Sequence, residues 1–274
     1  MKTIGFIQGR LSPITNGKIQ CFPWDYWQEE FKLANECRLH LMEWTLDQER
    51  LYNNPLMNAA GQNEIKGLME KYKLTIPSLT GDCFMQMPFY KENDKKAASN
   101  LIKDFINIIE ACGELGITFI VMPLVDNGKL ENERQIDLLK YGLNLIKPSL
   151  KENKVKIIFE SDFSPKQLAR FIEEFDHELF GINYDIGNSA ALGFNPIEEI
   201  TAYGHRILNV HVKDRKLNDG TVPLGKGAAD FSAIFKVLKD INYNGNYILQ
   251  TARAENNNHI NALCKYRDMV EQWI

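Results

Sequence analysis

The sequence predicts an α/β protein, a single-domain (β/α)8 TIM barrel spanning residues 1–274. Three observations point to it. Short β-branched or apolar runs alternate with longer amphipathic stretches from end to end. Eight such runs are present, the number of parallel strands that closes a barrel. No Pro/Gly/Ser-rich linker interrupts the alternation, and although 274 residues allow two domains, α/β barrels of about 250 residues are routinely one. A content of 44% hydrophobic and 25% charged residues suits a globular chain with a sizeable core.

In chain order, the first strand is expected at Thr3–Gln8, followed by an amphipathic helix over Trp24–Cys37 and a second strand at Leu39–Thr45. Strands three and four are expected at Thr75–Thr80 and Thr118–Pro123, with the helix Lys95–Gly116 between them ending on its glycine. A helix over Gln135–Lys151 leads to strand five, Val155–Glu160. Ser164-Pro165 then reads as the N-cap and first turn of a helix reaching Glu174. Strands six and seven are Gly181–Asp185 and Ile207–Lys213. Asp230 caps a helix over Phe231–Lys239, and strand eight is Asn246–Gln250. Each strand is short and bounded by a turn or a polar residue, and each helix carries apolar residues at three- and four-residue spacing.

Several function classes are excluded or disfavoured. An open dinucleotide-binding sheet should follow its first strand with GxGxxG, whereas this chain reads Gln8-Gly9-Arg10-Leu11-Ser12-Pro13, and no Walker A string appears. Thirty-two basic against 36 acidic residues give a net charge of −4, so no global positive field draws in nucleic acid or an anionic membrane surface. The start Met1-Lys2-Thr3-Ile4 lacks a secretory apolar segment, and the apolar stretch Ile117–Val125 is far short of the roughly 20 residues a spanning helix needs. A cytoplasmic protein is expected. Five widely spaced cysteines (Cys21, Cys37, Cys83, Cys112, Cys264) without a CxxC pair are expected to be reduced core residues.

Barrel active sites lie at the C-terminal ends of the strands, so the residues that end strands five to eight are diagnostic. They are Glu160, Asp185, His211 and Gln250, which should share one rim. Side chains alternate along a strand, so Asn183 faces inward with Asp185, and Asn209 and Lys213 with His211, while Tyr184, Val210 and Val212 face the helices. Unpartnered, each buried polar group would cost roughly 1–3 kcal/mol. Their convergence calls for either a hydrogen-bond network or a bound ion with substrate, a cation being the economical answer, and two carboxylates, one imidazole and one amide oxygen suit Mn2+, Mg2+ or Co2+. Such an ion polarises a sugar carbonyl and eases removal of the adjacent carbon-bound proton, with Glu160 as base. Lys213 is expected either to hold a substrate oxygen or help move a proton, or equally to neutralise Asp185. Arg10, Glu43, Asn188 and Lys226 are expected to touch substrate, with Trp44 as an apolar wall for a sugar ring and Trp24 and Trp27 either lidding the cavity or filling a helix interface.

The ordered set Glu160, Asp185-Ile186-Gly187-Asn188, His211-Val212-Lys213-Asp214 and Pro223-Leu224-Gly225-Lys226-Gly227 before Asp230-Phe231 resembles the xylose isomerase-like barrel superfamily. The opening Gly5-Phe6-Ile7-Gln8-Gly9-Arg10-Leu11 is similar to its sugar phosphate isomerase/epimerase branch. The resemblance spans essentially the whole chain. It implies a metal-assisted isomerase or epimerase acting on a small sugar or sugar phosphate through an enediolate, commonly as a homo-oligomer. The implied metal ligands are the acidic residue after strand five, the aspartate after strand six, the histidine on strand seven and a glutamate ending strand eight. Gln250 stands where that glutamate is expected, with Glu255 five residues further on, and Asn188 stands where many relatives have a histidine. The loss of the second carboxylate leaves two alternatives: a polyol-ketone dehydratase, which needs only one base, or a metal-free sugar-binding barrel.

Overall fold

The structure, a computed structural model, describes residues 4–15 and 17–274. Thr3, the expected start of the first strand, lies outside the described residues. Eight parallel strands close into a ring: β1 (Ile4–Ile7), β2 (Leu41–Thr45), β3 (Thr75–Thr80), β4 (Phe119–Leu124), β5 (Lys156–Ser161), β6 (Phe180–Asp185), β7 (Ile207–Val212) and β10 (Asn246–Leu249). β10 pairs with both β7 and β1, Ile4 standing opposite Tyr247, and this closes the barrel. All eight expected strands are present. A short antiparallel hairpin, β8 (Asp214–Arg215) with β9 (Thr221–Val222), was not foreseen and follows β7 at the mouth.

Helices cover the outside: α1 (Glu29–Glu36), α2 (Ala59–Tyr72), α4 (Lys95–Leu115), α5 (Glu133–Asn153), α6 (Pro165–Glu173), α8 (Pro196–Tyr203), α9 (Phe231–Asp240) and α10 (His259–Trp273), with short α3 (Asp82–Gln86) and α7 (Ile186–Ala191) at the mouth. Their ends follow the sequence. Asp94 caps α4 by accepting the N–H groups of Lys96 and Ala97 at 2.7 and 3.0 Å, and Gly116 ends it with φ +71°. Ser164 and Gln167 form the capping box of α6. The helix expected over Trp24–Cys37 begins only at Glu29. Trp24–Gln28 folds as turns instead, because Phe22, Trp27 and Trp44 gather into an aromatic cluster with ring centroids 5.4–6.4 Å apart.

The expectation of five reduced cysteines is corrected. α10 returns to pack beside the end of α1 and brings Cys264 to Cys37, which are joined in a disulfide. The two are 227 residues apart, a proximity only the closed ring creates. Cys21, Cys83 and Cys112 are free. Among the described residues no helix is long and apolar enough to cross a membrane.

Outside the ring, strand residues such as Phe159, Phe180, Ile182 and Val210 pack on the helices. Inside it, the buried side chains are polar toward the mouth: Gln8, Glu43, Thr45, Ser78, Thr80, Asn183, Asn209 and His211. Such a layer is stable only if its groups satisfy one another.

Candidate active site

Strand alternation aims Asn183, Asp185, Asn209 and His211 into the barrel, while Tyr184 points outward and donates to Glu199 on α8. The structure brings three of the four expected metal ligands together. One ligand atom each from Glu160, Asp185 and His211 lie within 4.8 Å of one another, and all three residues are buried. His211 Nδ1 stands 3.2 Å from Glu160 Oε2 and 3.8 Å from Asp185 Oδ2.

The opposite ring nitrogen is committed. His211 Nε2 lies 2.7 Å from Glu43 Oε1, and neither residue has any exposed surface. Glu43 Oε1 also accepts from Thr80, and its Oε2 accepts from Ser78 at 2.7 Å and Asn209 at 3.1 Å. Glu43 was expected to touch substrate. It instead lies behind His211, because its place on β2 is inside the ring below the mouth, and there it orients the imidazole.

Electrostatics make the same point. Burial opposes a charge on His211, but Glu43, Asp185 and Glu160 outweigh it and raise its pKa well above the ordinary histidine value. Burial likewise opposes the charge of Glu43, which His211 and its hydroxyl donors nevertheless hold below the usual carboxylate range. For Asp185, burial is overcome by Lys213 and His211, which bring it down to about 2 from 3.8. Because the folded pKa lies below the unfolded one, this contribution to stability is present above about pH 4 and lost as pH falls through about 2. Asp185→Asn is therefore expected to remove a contribution of order 2 kcal/mol, seen as a flatter dependence of urea-unfolding free energy on pH across that window.

His211 Nδ1 and Asp185 Oδ2 are buried and make no hydrogen bond, although Lys213 Nζ approaches Asp185 Oδ2 as an ion pair at 2.5 Å. With Nε2 facing Glu43, His211 turns Nδ1 toward the carboxylates of Glu160 and Asp185. On losing its proton, Nδ1 would join one oxygen each of Glu160 and Asp185 in a donor set that fits a divalent cation.

Glu160 is held at both oxygens, by Asn183 Nδ2 at 2.9 Å and Asn188 Nδ2 at 2.7 Å. Asn188 Oδ1 in turn accepts from Arg215 at 2.9 Å. Asn188 thus positions Glu160 as well as facing the mouth. The stem of Lys213 crosses Gly187 so closely that a Cβ there would lie 2.7 Å from its Cγ. This close approach sends the ammonium to Asp185 and to Gln250 Oε1, 2.9 Å away.

Gln250 differs from its expected place as the fourth ligand. Its carbonyl oxygen accepts from Lys213, and its amide donates to Gln20 Oε1 at 3.1 Å. Glu255 does not reach back; it is exposed and lines a separate groove with Arg253 and Tyr266. Lys226 lies in that groove too and not in the barrel mouth, because Asp214 accepts the N–H groups of Gly225, Gly227 and Ala229 at 2.8–3.2 Å and folds the loop outward. Trp44 faces the helices and donates to Asn54 at 3.1 Å, so it is no wall of the site. Trp27 fills the same interface, and Trp24 is half-buried under the Arg50 guanidinium.

A cavity of about 290 Å³ opens at the mouth, lined by Glu160, Lys213, Gln250 and Asn188 together with Arg10 and Arg215. This is close to the lower end of small-molecule sites, the size of one sugar. Arg10 reaches it as expected, although its guanidinium also ties Thr251 O, Ile19 O and Gln20 together at 2.7–3.0 Å. Sequence reasoning missed Arg215, Gln20 and Asp82 on the same walls. Asp82 was accessible by the rule applied to strands five to eight, for it follows the end of strand three.

The family model described as a xylose isomerase-like TIM barrel matches residues 31–271. An inosose dehydratase of Clostridium botulinum is 26% identical over 212 residues, covering 66% of this chain and 70% of the relative. A putative L-ribulose-5-phosphate 3-epimerase, SgbU, of Haemophilus influenzae is 25% identical over 266 residues, 90% of this chain and 91% of the relative. Among solved structures, the IOLI protein with a binding zinc atom superposes with a TM-score of 0.74 at 18% identity, covering 99% of each chain. With its closed ring of eight parallel strands and this match along most of its length, the chain belongs to the xylose isomerase-like TIM barrel family.

Proposed function

We propose that the protein is a carbohydrate isomerase or epimerase acting on a small sugar or sugar phosphate, with Glu160 as the base that removes a proton from carbon beside a carbonyl. The observation that carries this reading is the buried Glu160–Asp185–His211 group meeting a sugar-sized cavity that also presents Lys213 and Asn188. A divalent ion held by Glu160, Asp185 and His211, whether Mn2+, Mg2+, Co2+ or zinc, would supply Lewis-acid polarisation of the carbonyl.

The chain's own groups do the rest. Asn183 and Asn188 fix the Glu160 carboxylate so that it faces the cavity without rotating, which favours proton abstraction from one bound orientation. Lys213 offers its ammonium to a substrate oxygen, and Arg10 and Arg215 supply positive charge for a hydroxyl cluster or a phosphate. The Haemophilus epimerase, matched over 90% of the chain, supports this reading. Action as a homo-oligomer is part of the same proposal, by resemblance to the family, as is the cytoplasmic location expected from the sequence.

A second reading, dehydration of a polyol ketone, is favoured by Gln250, which cannot titrate, and by the inosose dehydratases among the relatives. One experiment addresses both. Purified protein, with added Mn2+ or after chelator dialysis, is incubated with L-ribulose 5-phosphate, free ketoses and an inosose, and products are followed by NMR and mass. Chelator-sensitive conversion at constant mass is the expected result. Loss of water assigns a dehydratase, and inertness toward every compound with and without metal leaves a sugar-binding barrel. Calorimetry on the same samples is expected to show Mn2+ binding abolished in His211→Ala and tightened in Gln250→Glu, which adds one negative charge beside the ligands. Unchanged binding in both variants would remove this metal site from the proposal.

A further inference from the structure

We propose that Asp82 is a second proton-transfer residue of this site, the general acid that protonates a substrate oxygen while Glu160 takes the proton from carbon. The inference rests on the proton-transfer reading above and supplies the partner that Gln250 cannot be.

Asp82 directly follows Gly81 at the end of β3, and its side chain lines the same cavity as Glu160 and Lys213. It is 9% exposed, and among the described residues its one side-chain hydrogen bond comes from Gln20 Nε2, 3.2 Å from Oδ2. Gln20 is also the side chain whose Oε1 accepts from Gln250 Nε2 at 3.1 Å and from Arg10 at 3.0 Å. Two amides therefore link Gln250, which follows β10 and cannot titrate, to a carboxyl after β3, three strands round the ring.

A carboxyl donates a proton at neutral pH only if it remains protonated there. Burial above all, with Asp47 after β2 and Glu160 on β5, pushes Asp82 up to about 7, against the opposing pull of the Gln20 hydrogen bond and of Arg10. Position around the ring also matters. Only β4 separates β3 from β5, so the two carboxyls stand about a quarter-turn apart. That suits work on adjacent atoms of one substrate better than attack on opposite faces of one carbon.

The Glu160 carboxylate takes the carbon-bound proton, the C–H electron pair becomes the new C=C bond, and the carbonyl π pair moves onto oxygen, where Asp82 supplies a proton. This gives an enediol, protonated Glu160 and ionised Asp82. Running the same transfers in reverse on the neighbouring carbon and its hydroxyl restores both groups and completes an isomerisation.

The test compares kcat and KM across pH 5–9 for wild type, Asp82→Asn, Asp82→Glu and Glu160→Gln, with L-ribulose 5-phosphate and the free ketoses as probes. Asp82→Asn is expected to lower kcat by about 10²–10⁴-fold with little change in KM, and to abolish the fall in wild-type rate above about pH 7. Asp82→Glu is expected to restore that limb. An Asp82→Asn enzyme that keeps the high-pH fall, or that changes KM alone, overturns the assignment. If Glu160→Gln is inactive while Asp82→Asn is not, only this inference fails. If Glu160→Gln turns over normally, or wild type converts none of the probes, the underlying reading fails and this inference with it.

Discussion

Glu160→Gln is expected to lower kcat by about 10²–10⁴-fold with the barrel still folded. Glutamine matches the volume of glutamate and can still accept from one of the two asparagines that hold the side chain, so packing is preserved. It has no carboxylate to receive a proton. Its amide also removes one negative charge from the group around His211 Nδ1, which weakens cation binding together with catalysis. The two effects separate in heavy water. Exchange of the substrate's carbonyl-adjacent proton for deuterium reports abstraction alone, and its persistence at the wild-type rate in metal-saturated Glu160→Gln would exclude Glu160 as the base.

Glu43→Ala is expected to destabilise the protein by about 3–5 kcal/mol, the range for removing one partner of a buried charge pair. The size follows from what depends on this carboxylate: His211 loses its counter-charge, Ser78 and Thr80 lose their acceptor and Asn209 loses one of its two, all among buried side chains. Glu43→Gln should cost less, since it keeps the volume and one acceptor oxygen. Divalent-ion affinity should fall about 10–100-fold in either variant, because the imidazole is no longer held with Nδ1 toward the site. Urea unfolding and calorimetry measure the two effects. A Glu43→Ala protein within 1 kcal/mol of wild type would mean that His211 finds another partner.

The barrel and the buried Glu160–Asp185–His211 group were legible because both follow from local rules. Period-two alternation places Asp185 and His211 inward, and the end of an apolar strand places Glu160 at the mouth. What escaped is set by contacts between distant segments. The role of Glu43 depends on a residue 168 positions away, and the Cys37–Cys264 disulfide on ring closure. Gln20 reaches the cavity because Arg10 and the more distant Asp82 and Gln250 hold it to that wall. The Lys226 loop carries a plausible phosphate-binding sequence, yet Asp214 satisfies its backbone donors and turns it away.

The Glu43–His211 pair spans the barrel interior, joining β2 to β7, while Asn209 bonds both Glu43 and Asn183. The first half of the chain therefore carries a buried acid whose base lies in the second, and neither half can bury its own share without the other. A fragment containing only β1–β4 would leave Glu43 without its cation, and one containing only β5–β10 would leave His211 Nε2 without its acceptor and Asn209 with Asn183 alone. The two halves are therefore expected to unfold together, in one urea transition that fluorescence and circular dichroism report alike.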